Sequence, residues 1–383
     1  MTTLPTKEEP SLALLPGLSG SADLPALPLP APDAPVAAAK LHKPRRARRR
    51  SGRATLVDVA ALARVSTQTV SRVINCPANV PPATLALVRA AIEKAGYVPN
   101  LLAGGLASGR SRLVAALVPA IAGPVFQQTI EALAKALGQR GYQLMLGESG
   151  YEQPDEAEVL QNLISRRPDG IVLTRLVQSE NARARLAASG LPVVETWDIT
   201  DRPVDMLIGF SHEAVGVAAA DFFALRGFRS PGLLSGKDPR ALRRGDAFAG
   251  RLRQLGLLAE NAPLPTVLFA APAPLGAGRR ALREMLAAHP ATDSVFCSTD
   301  MVALGALIEA RECGLRVPQD LAVMGFGDLA FAADTAPALT TVRIDGATIG
   351  LRAAQWIMRR AEGMAVTEKR LDLGFEVIRR GSA

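Results

Sequence analysis

Two stretches of this chain carry side chains whose types and spacing suit chemistry. The first is "TQTVSRVIN", Thr67 to Asn75. At helical spacing Val70, Val73 and Ile74 share one face, while Thr67, Gln68, Ser71, Arg72 and Asn75 point the other way. Gln can pair bidentately with adenine and Arg with guanine, whereas Ser and Thr more often fix register on phosphates. The second is "DPRALRRGDAF", which holds Arg240, Arg243 and Arg244. A guanidinium fork matches a carboxylate. The plainer readings are an ordinary amphipathic helix for the first stretch and solvated helix charges for the second.

The elements that must position the first stretch lie on either side of it. "TLVDVAALAR" puts Leu56, Val59, Ala60 and Ala63 on one helical face, with Thr55 as N-cap. Ser66 can cap the next helix after a tight turn at Arg64-Val65-Ser66. "PATLALVRAAIEKAGYVPN" supplies a third helix, with Leu85, Val88 and Ile92 inward and Gly96 as the stop. Helix, tight turn and helix make a helix-turn-helix, whose second helix enters the major groove with its N-terminal residues at base edges.

Charge supports that reading. The net charge of +8 is unevenly spread: residues 40–112 carry +12, residues 1–39 carry −3, and the remainder −1. A short cationic module attached to a large neutral remainder suits a nucleic-acid partner. Within it "KPRRARRRSGR", Lys43 to Arg53, is either a solvated linker or an arm that neutralises phosphates in a salt-dependent way. Residues 1–39 are rich in Pro, Ala, Leu, Ser and Gly without a period, which predicts a disordered tail.

From Arg112 the texture changes. Short apolar runs such as "LVAALVP", "YQLMLGE", "GIVLT", "LPVVET", "SPGLLSG", "SVFCSTD" and "LAVMGFGD" alternate with helical patterns. Those patterns are Val125–Arg140, Glu156–Ser165, His212–Leu225, Gly278–Ala288 and Met301–Glu312. Alternation of this kind predicts parallel sheets with crossover helices. About 270 residues suit two doubly wound lobes, with ligand at the carboxyl ends of the strands. Asp300 reads as the N-cap of the helix it precedes, and "LDLGFEVIRR" as a closing strand.

A catalytic reading finds little. His42, His212 and His289 form no metal spacing, and neither a G-x-S-x-G, a Walker A nor a dinucleotide fingerprint follows a strand. No catalytic residue, metal or cofactor is expected. Cys76, Cys297 and Cys313 lack C-x-x-C spacing and read as reduced thiols of a cytosolic protein. The N-terminus does not have the form of a signal peptide, and no run of 18 apolar residues predicts a membrane span. The expected location is the bacterial cytoplasm.

"TLVDVAALARVSTQTVSRVIN…GYVPN" resembles the LacI family of bacterial transcriptional regulators, and the resemblance spans roughly residues 54–383. "MLGESGYEQ", "VVETWD", "VFCSTDMVALGALIEARECGLRVPQDLAVMGFGD" and "LDLGFEV" are most similar to the family's gluconate-utilisation repressors. The resemblance implies an α/β protein with a small all-α helix-turn-helix headpiece and a two-lobed, periplasmic-binding-protein-like core of doubly wound parallel sheets. The implied divisions are a tail and basic arm (1–53), the headpiece (54–99), a hinge (100–111) and an effector-binding and dimerisation core (112–383). The family's DNA-contacting positions fall on Thr55, Thr67, Gln68, Ser71, Arg72, Asn75, Thr84, Tyr97 and Asn100. Leu106 matches the hinge leucine that wedges into the minor groove. Gly104 and Gly105 depart from the hinge pattern, each costing a helix about 1 kcal/mol relative to Ala.

For the effector the resemblance implies Phe126, Arg175, Asp198, Arg244, Thr299 and Asp328. Phe126 would stack on a sugar face or pack in the core, and Arg244, four residues before Phe248, best matches the family's effector arginine. Many sugar-binding members carry two consecutive Asp where this chain has Gly327-Asp328, a departure that argues against a neutral hexose. The implied function is repression of sugar-acid catabolism, of the gluconate or ketogluconate type, by a homodimer on operator DNA released by a small-molecule effector. The alternatives are an activator or repressor answering to another sugar, a sugar phosphate or a purine, and, further off, a sugar-binding module without regulatory role. No leucine heptad follows the closing strand, so assembly beyond a dimer is not expected.

Overall fold

The computed structural model describes residues 54–98, 110–121, 123–151 and 156–383. The basic arm, Asn100, Leu106 and the two hinge glycines lie outside the described residues.

Three helices form the headpiece: α1 (Leu56–Ala63), α2 (Thr67–Asn75) and α3 (Pro82–Ala95). Local chemistry sets each end. The Thr55 hydroxyl and the Asp58 carboxylate close a capping box, and Arg64 ends α1 in the left-handed region at φ 51°. Ser66 caps α2 by accepting from the Thr69 amide, and Gly96 ends α3 at φ 59°. Val59, Ala63, Val70, Val73 and Val88 make the headpiece's own small core, with Leu85 and Ile92 against it.

The rest of the chain forms two lobes, each with a six-stranded sheet. The first lobe runs β1 (Leu113–Val118), α4 (Gln127–Gln139), β2 (Gln143–Glu148), α5 (Glu156–Ile164), β3 (Gly170–Leu173), α6 (Glu180–Ser189), β4 (Val193–Thr196) and β5 (Met206–Gly209). The second runs α7 (His212–Leu225), β6 (Pro231–Gly236), α8 (Pro239–Gln254), β7 (Thr266–Phe269), α9 (Leu275–Ala288), β8 (Ser294–Cys297), α10 (Asp300–Glu312), β9 (Ala322–Phe326) and β10 (Thr340–Arg343). Helix α11 (Gly346–Ala361) returns to the first lobe and packs on α4, where a Cβ on Gly350 would lie 2.2 Å from the Thr129 carbonyl.

The expected closing strand divides. β11 (Arg370–Asp372) pairs with β5 in the first sheet, and β12 (Glu376–Ile378) pairs with β10 in the second. The sheet orders are β11-β5-β4-β3-β1-β2 and β12-β10-β9-β8-β6-β7, all parallel except the β10–β12 pair. The chain therefore passes between lobes three times, near Phe210, Ile344 and Leu373. Burial along β3, β9 and β1 from Val114 onward explains their unbroken apolar runs, while β4, β6 and β8 are buried throughout although they carry Glu195, Ser235 and Ser294.

Candidate ligand cleft and nucleic-acid interface

On α2 the structure separates two faces as expected. Val70 and Val73 are buried, while Thr67, Gln68, Arg72 and Asn75 are exposed and Ser71 is half-buried. Asn75 Nδ2 donates to the Ser71 carbonyl at 2.9 Å and lies 3.2 Å from the Ser71 hydroxyl, so these two polar groups brace each other. The Thr55 hydroxyl donates to Asp58 at 2.7 Å, so its first role is structural. Thr84 and Tyr97 are half-buried, and Tyr97 packs against the headpiece core. The first turn of α2 offers two uncommitted polar side chains, Thr67 and Gln68, for base edges.

The second site lies where both sheets present their carboxyl ends, as doubly wound folds require. A cavity of about 580 Å³, within the range of small-molecule sites, is lined by Pro119, Arg175, Asp198, Asp238, Arg240 and Arg243 among others. These residues follow β1, β3, β4 and β6 or open α8, so both lobes contribute. A second pocket of about 40 Å³ adjoins it and is lined by Phe126, Trp197, His212, Arg244, Thr299 and Phe326, most of them buried, with Tyr151, Asp238 and Arg240 lining both.

Helix α8 aims its arginines here because Arg240, Arg243 and Arg244 stand at i, i+3 and i+4 and share one face. Arg240 Nη1 donates across the cleft to the Thr174 carbonyl at 2.8 Å, and its guanidinium lies over Phe126 at 5.4 Å from the ring centre. Arg243 pairs with Asp198 on the opposite lobe and with Glu213 at 3.0 Å. These contacts tie the lobes together in this arrangement.

Arg244 differs from both. It is 5% exposed, and its guanidinium stands 4.0 Å from the centre of Phe326. One Nη bonds His212 Nδ1 at 2.9 Å and the other donates to the Ser298 carbonyl at 3.0 Å. Nε is buried without a hydrogen-bond partner among the described residues. Burial pulls the group down to about 10, with Arg240 and Arg243 adding like charge against the help of Asp238, so it remains charged at neutral pH. A buried cation with no carboxylate bonded to it among the described residues is a costly arrangement and invites an anionic ligand.

The other expected effector residues fall in three groups. Phe126 is both core and pocket wall, edge-on to Trp197 with ring centres 5.0 Å apart. Arg175 lines the cleft but is held by Glu156 at 3.1 Å, and Asp198 is held by Arg243. Thr299, not Asp300, caps α10, because its hydroxyl accepts from the Val302 amide; Asp300 is the first helical residue. Asp328 falls apart from the others: it stands at the lobe crossing, lining a separate pocket with Gly327 and Arg343, ion-paired to Arg343 at 2.6 Å and to Arg380 at 2.7 Å. Arg240, one of the three arginines of "DPRALRRGDAF", also lines the site, whereas sequence reasoning gives no signal for Tyr151, Trp197, His212 and Phe326 as cleft residues.

Among the described residues no helix is long and apolar enough to cross a membrane, and no group of His, Cys, Asp and Glu is arranged to hold a metal.

Comparisons with known proteins agree with this geometry. Residues 55–100 match the model of bacterial regulatory proteins of the lacI family, and residues 220–383 match a periplasmic binding protein-like domain. The chain is 35% identical to the HTH-type transcriptional regulator GntR of Pseudomonas aeruginosa over 335 residues, covering 87% of this chain and 97% of that one. A LacI family transcriptional regulator from Silicibacter pomeroyi superposes with a TM-score of 0.79 at 33% identity, over 86% of this chain and 99% of that one. The Lac repressor dimer bound to operator and an anti-inducer superposes with a TM-score of 0.73 at 25% identity, over 86% and 99%.

Proposed function

Because this chain belongs to the LacI family of bacterial regulatory proteins and is a DNA-binding transcriptional regulator, we propose that it is a homodimeric repressor released from its operator by a sugar acid of the gluconate or ketogluconate type. The observation that carries this reading is Arg244, buried and charged in the inner pocket, with an unpartnered Nε and no carboxylate bonded to it among the described residues. A carboxylate supplies what the site lacks, and the rings of Phe126, Trp197 and Phe326 offer apolar faces to a carbon chain bearing hydroxyls.

Ligand entry has a mechanical consequence. The inner pocket of about 40 Å³ holds little more than one water, so a ligand that reaches Arg244 must part the contacts that Arg240 and Arg243 make across the cleft. Lobe angle then depends on ligand. In a dimer that angle sets the spacing of the two headpieces, which must match the operator half-sites. The effect is a population shift: the effector binds the operator-free form more tightly by the same factor by which it weakens operator binding.

A thermal-shift screen of gluconate, 2-ketogluconate, ribose, hexoses and purines tests the reading. Stabilisation by a sugar acid is expected; a response to a neutral sugar with none to any sugar acid overturns it. A sugar phosphate is the second reading, because Arg175, Arg183 and Arg202 line the outer cleft and would suit a second anionic group. On the DNA side, exchanging the Thr67-Gln68 pair for other polar residues is expected to change which operator is preferred, with about 1–3 kcal/mol of discrimination at a contacted base pair. Binding-site selection from random DNA checks this, and an unchanged consensus would remove both residues from base readout.

A further inference from the structure

His212 opens α7 at the first crossing between lobes, and its surroundings do not fit a passive core histidine. It is 2% exposed, and its Nε2 lies 2.9 Å from the Trp197 carbonyl. A carbonyl only accepts, so Nε2 carries the hydrogen. Burial, and then the charge of Arg244, hold the ring well below the ordinary histidine range, so it is neutral at pH 7. Nδ1 is then an acceptor, and it takes the hydrogen bond from Arg244 Nη1 at 2.9 Å. The tautomer is thus fixed from one side, and the guanidinium is aimed from the other.

The chain of contacts continues past Trp197. This residue holds a left-handed φ of 67°, which a bulky side chain rarely adopts and which persists only when its surroundings over-determine it. Its indole Nε1 donates to the Thr129 hydroxyl at 3.0 Å, and that hydroxyl donates to the Gly346 carbonyl at 2.9 Å. Gly346 is the first residue of α11, just past the second crossing. One continuous path therefore runs from the buried arginine of the second lobe, through the first crossing and the first lobe, to the second crossing.

We propose that His212 is a positioning residue for effector recognition: it orients Arg244 toward a carboxylate and ties that arginine to both lobe crossings through Trp197, Thr129 and Gly346. The inference rests on the reading of Arg244 as the carboxylate-binding residue. Two halves of the ring can be tested apart, because Asn places a polar atom near the Nδ1 position and Gln places one near the Nε2 position. Gluconate affinity of the full chain is measured by calorimetry for wild type, His212→Gln and His212→Asn, with folding checked by circular dichroism. The expected result is at least tenfold weaker binding for His212→Gln and recovery to within threefold of wild type for His212→Asn. Equal affinity for wild type and a folded His212→Gln overturns the proposal and leaves the sugar-acid reading standing. Equal loss in both variants also overturns it, because a merely structural role would not distinguish them. Absence of gluconate binding by wild type removes the sugar-acid reading and the proposal with it. For the path beyond Trp197, Thr129→Val is expected to keep gluconate affinity within threefold but to reduce at least fivefold the factor by which gluconate weakens binding to a selected operator fragment. An unchanged factor overturns that part.

Discussion

Arg244→Met is expected to weaken gluconate binding at least 100-fold, about 2.7 kcal/mol, with operator binding retained. Methionine keeps an unbranched apolar stem and removes the guanidinium, with its charge, its donors and its contact with the Phe326 ring. A charge-assisted bidentate pair with a carboxylate is the strongest single contact the cleft can offer, and each such hydrogen bond is worth roughly 1.5–3 kcal/mol. The same replacement relieves a desolvated cation whose hydrogen-bond partners among the described residues are a carbonyl and an imidazole, which offsets the bonds lost to His212 and Ser298. The folded chain should therefore melt within a few degrees of wild type. Arg240→Met and Arg243→Met are expected to cost tenfold or less, because both guanidiniums already have partners, the Thr174 carbonyl for one and Asp198 with Glu213 for the other. Operator binding survives because the headpiece is built on its own core. Calorimetry with gluconate and a mobility-shift assay with operator separate the two functions. Wild-type affinity in Arg244→Met would move the carboxylate site to Arg240, Arg243 or Arg175.

What could be read in the sequence was what local chemistry decides. Thr55, Ser66 and Gly96 mark helix ends through contacts with residues three or four positions away, so the headpiece was legible almost to the residue. The central strands were legible because two-sided burial writes them as unbroken apolar runs. Lobe crossing was not legible. "LDLGFEV" reads as one strand, and only the sheets on either side reveal that Gly374 divides it between two lobes. The cleft was legible in its arginines but not in their ranking. Periodicity puts three of them on one face, and nothing local says that Arg244 goes in while Arg243 stays at the rim with Asp198. The surroundings of His212 and Asp328 were hidden for the same reason. The partners of His212 are 15 and 32 residues away, and those of Asp328 are 15 and 52. Contacts that distant are created by topology, which residue spacing alone does not show. The one-residue slip from Thr299 to Asp300 at the start of α10 is the ordinary uncertainty of a helix boundary.

That slip conceals the second large effect. Asp300 is fully buried in the second lobe, where its carboxylate accepts from the Thr341 hydroxyl at 2.5 Å and from the Leu329 amide at 2.7 Å. Burial outweighs both bonds and pushes the carboxyl up to about 6 from 3.8. The folded chain thus holds this proton more tightly than the unfolded chain. Its contribution is neutral below about pH 4, falls as pH rises toward 6, and is a constant penalty on the order of 3 kcal/mol above that. Asp300→Asn removes the penalty while keeping the shape: the amide oxygen can accept from Leu329 and the amide nitrogen can donate to the Thr341 oxygen. Asp300→Asn is therefore expected to be about 1–3 kcal/mol more stable than wild type at pH 7.5, with the advantage shrinking to nothing near pH 4. Asp300→Leu should instead be destabilised by about 2–3 kcal/mol at both pH values, because it leaves the Leu329 amide and the Thr341 hydroxyl unpaired inside a close-packed lobe. Urea unfolding of the three proteins across pH 4–8 checks this. A stability difference between wild type and Asp300→Asn that does not change with pH would mean that the folded protein does not retain the Asp300 proton.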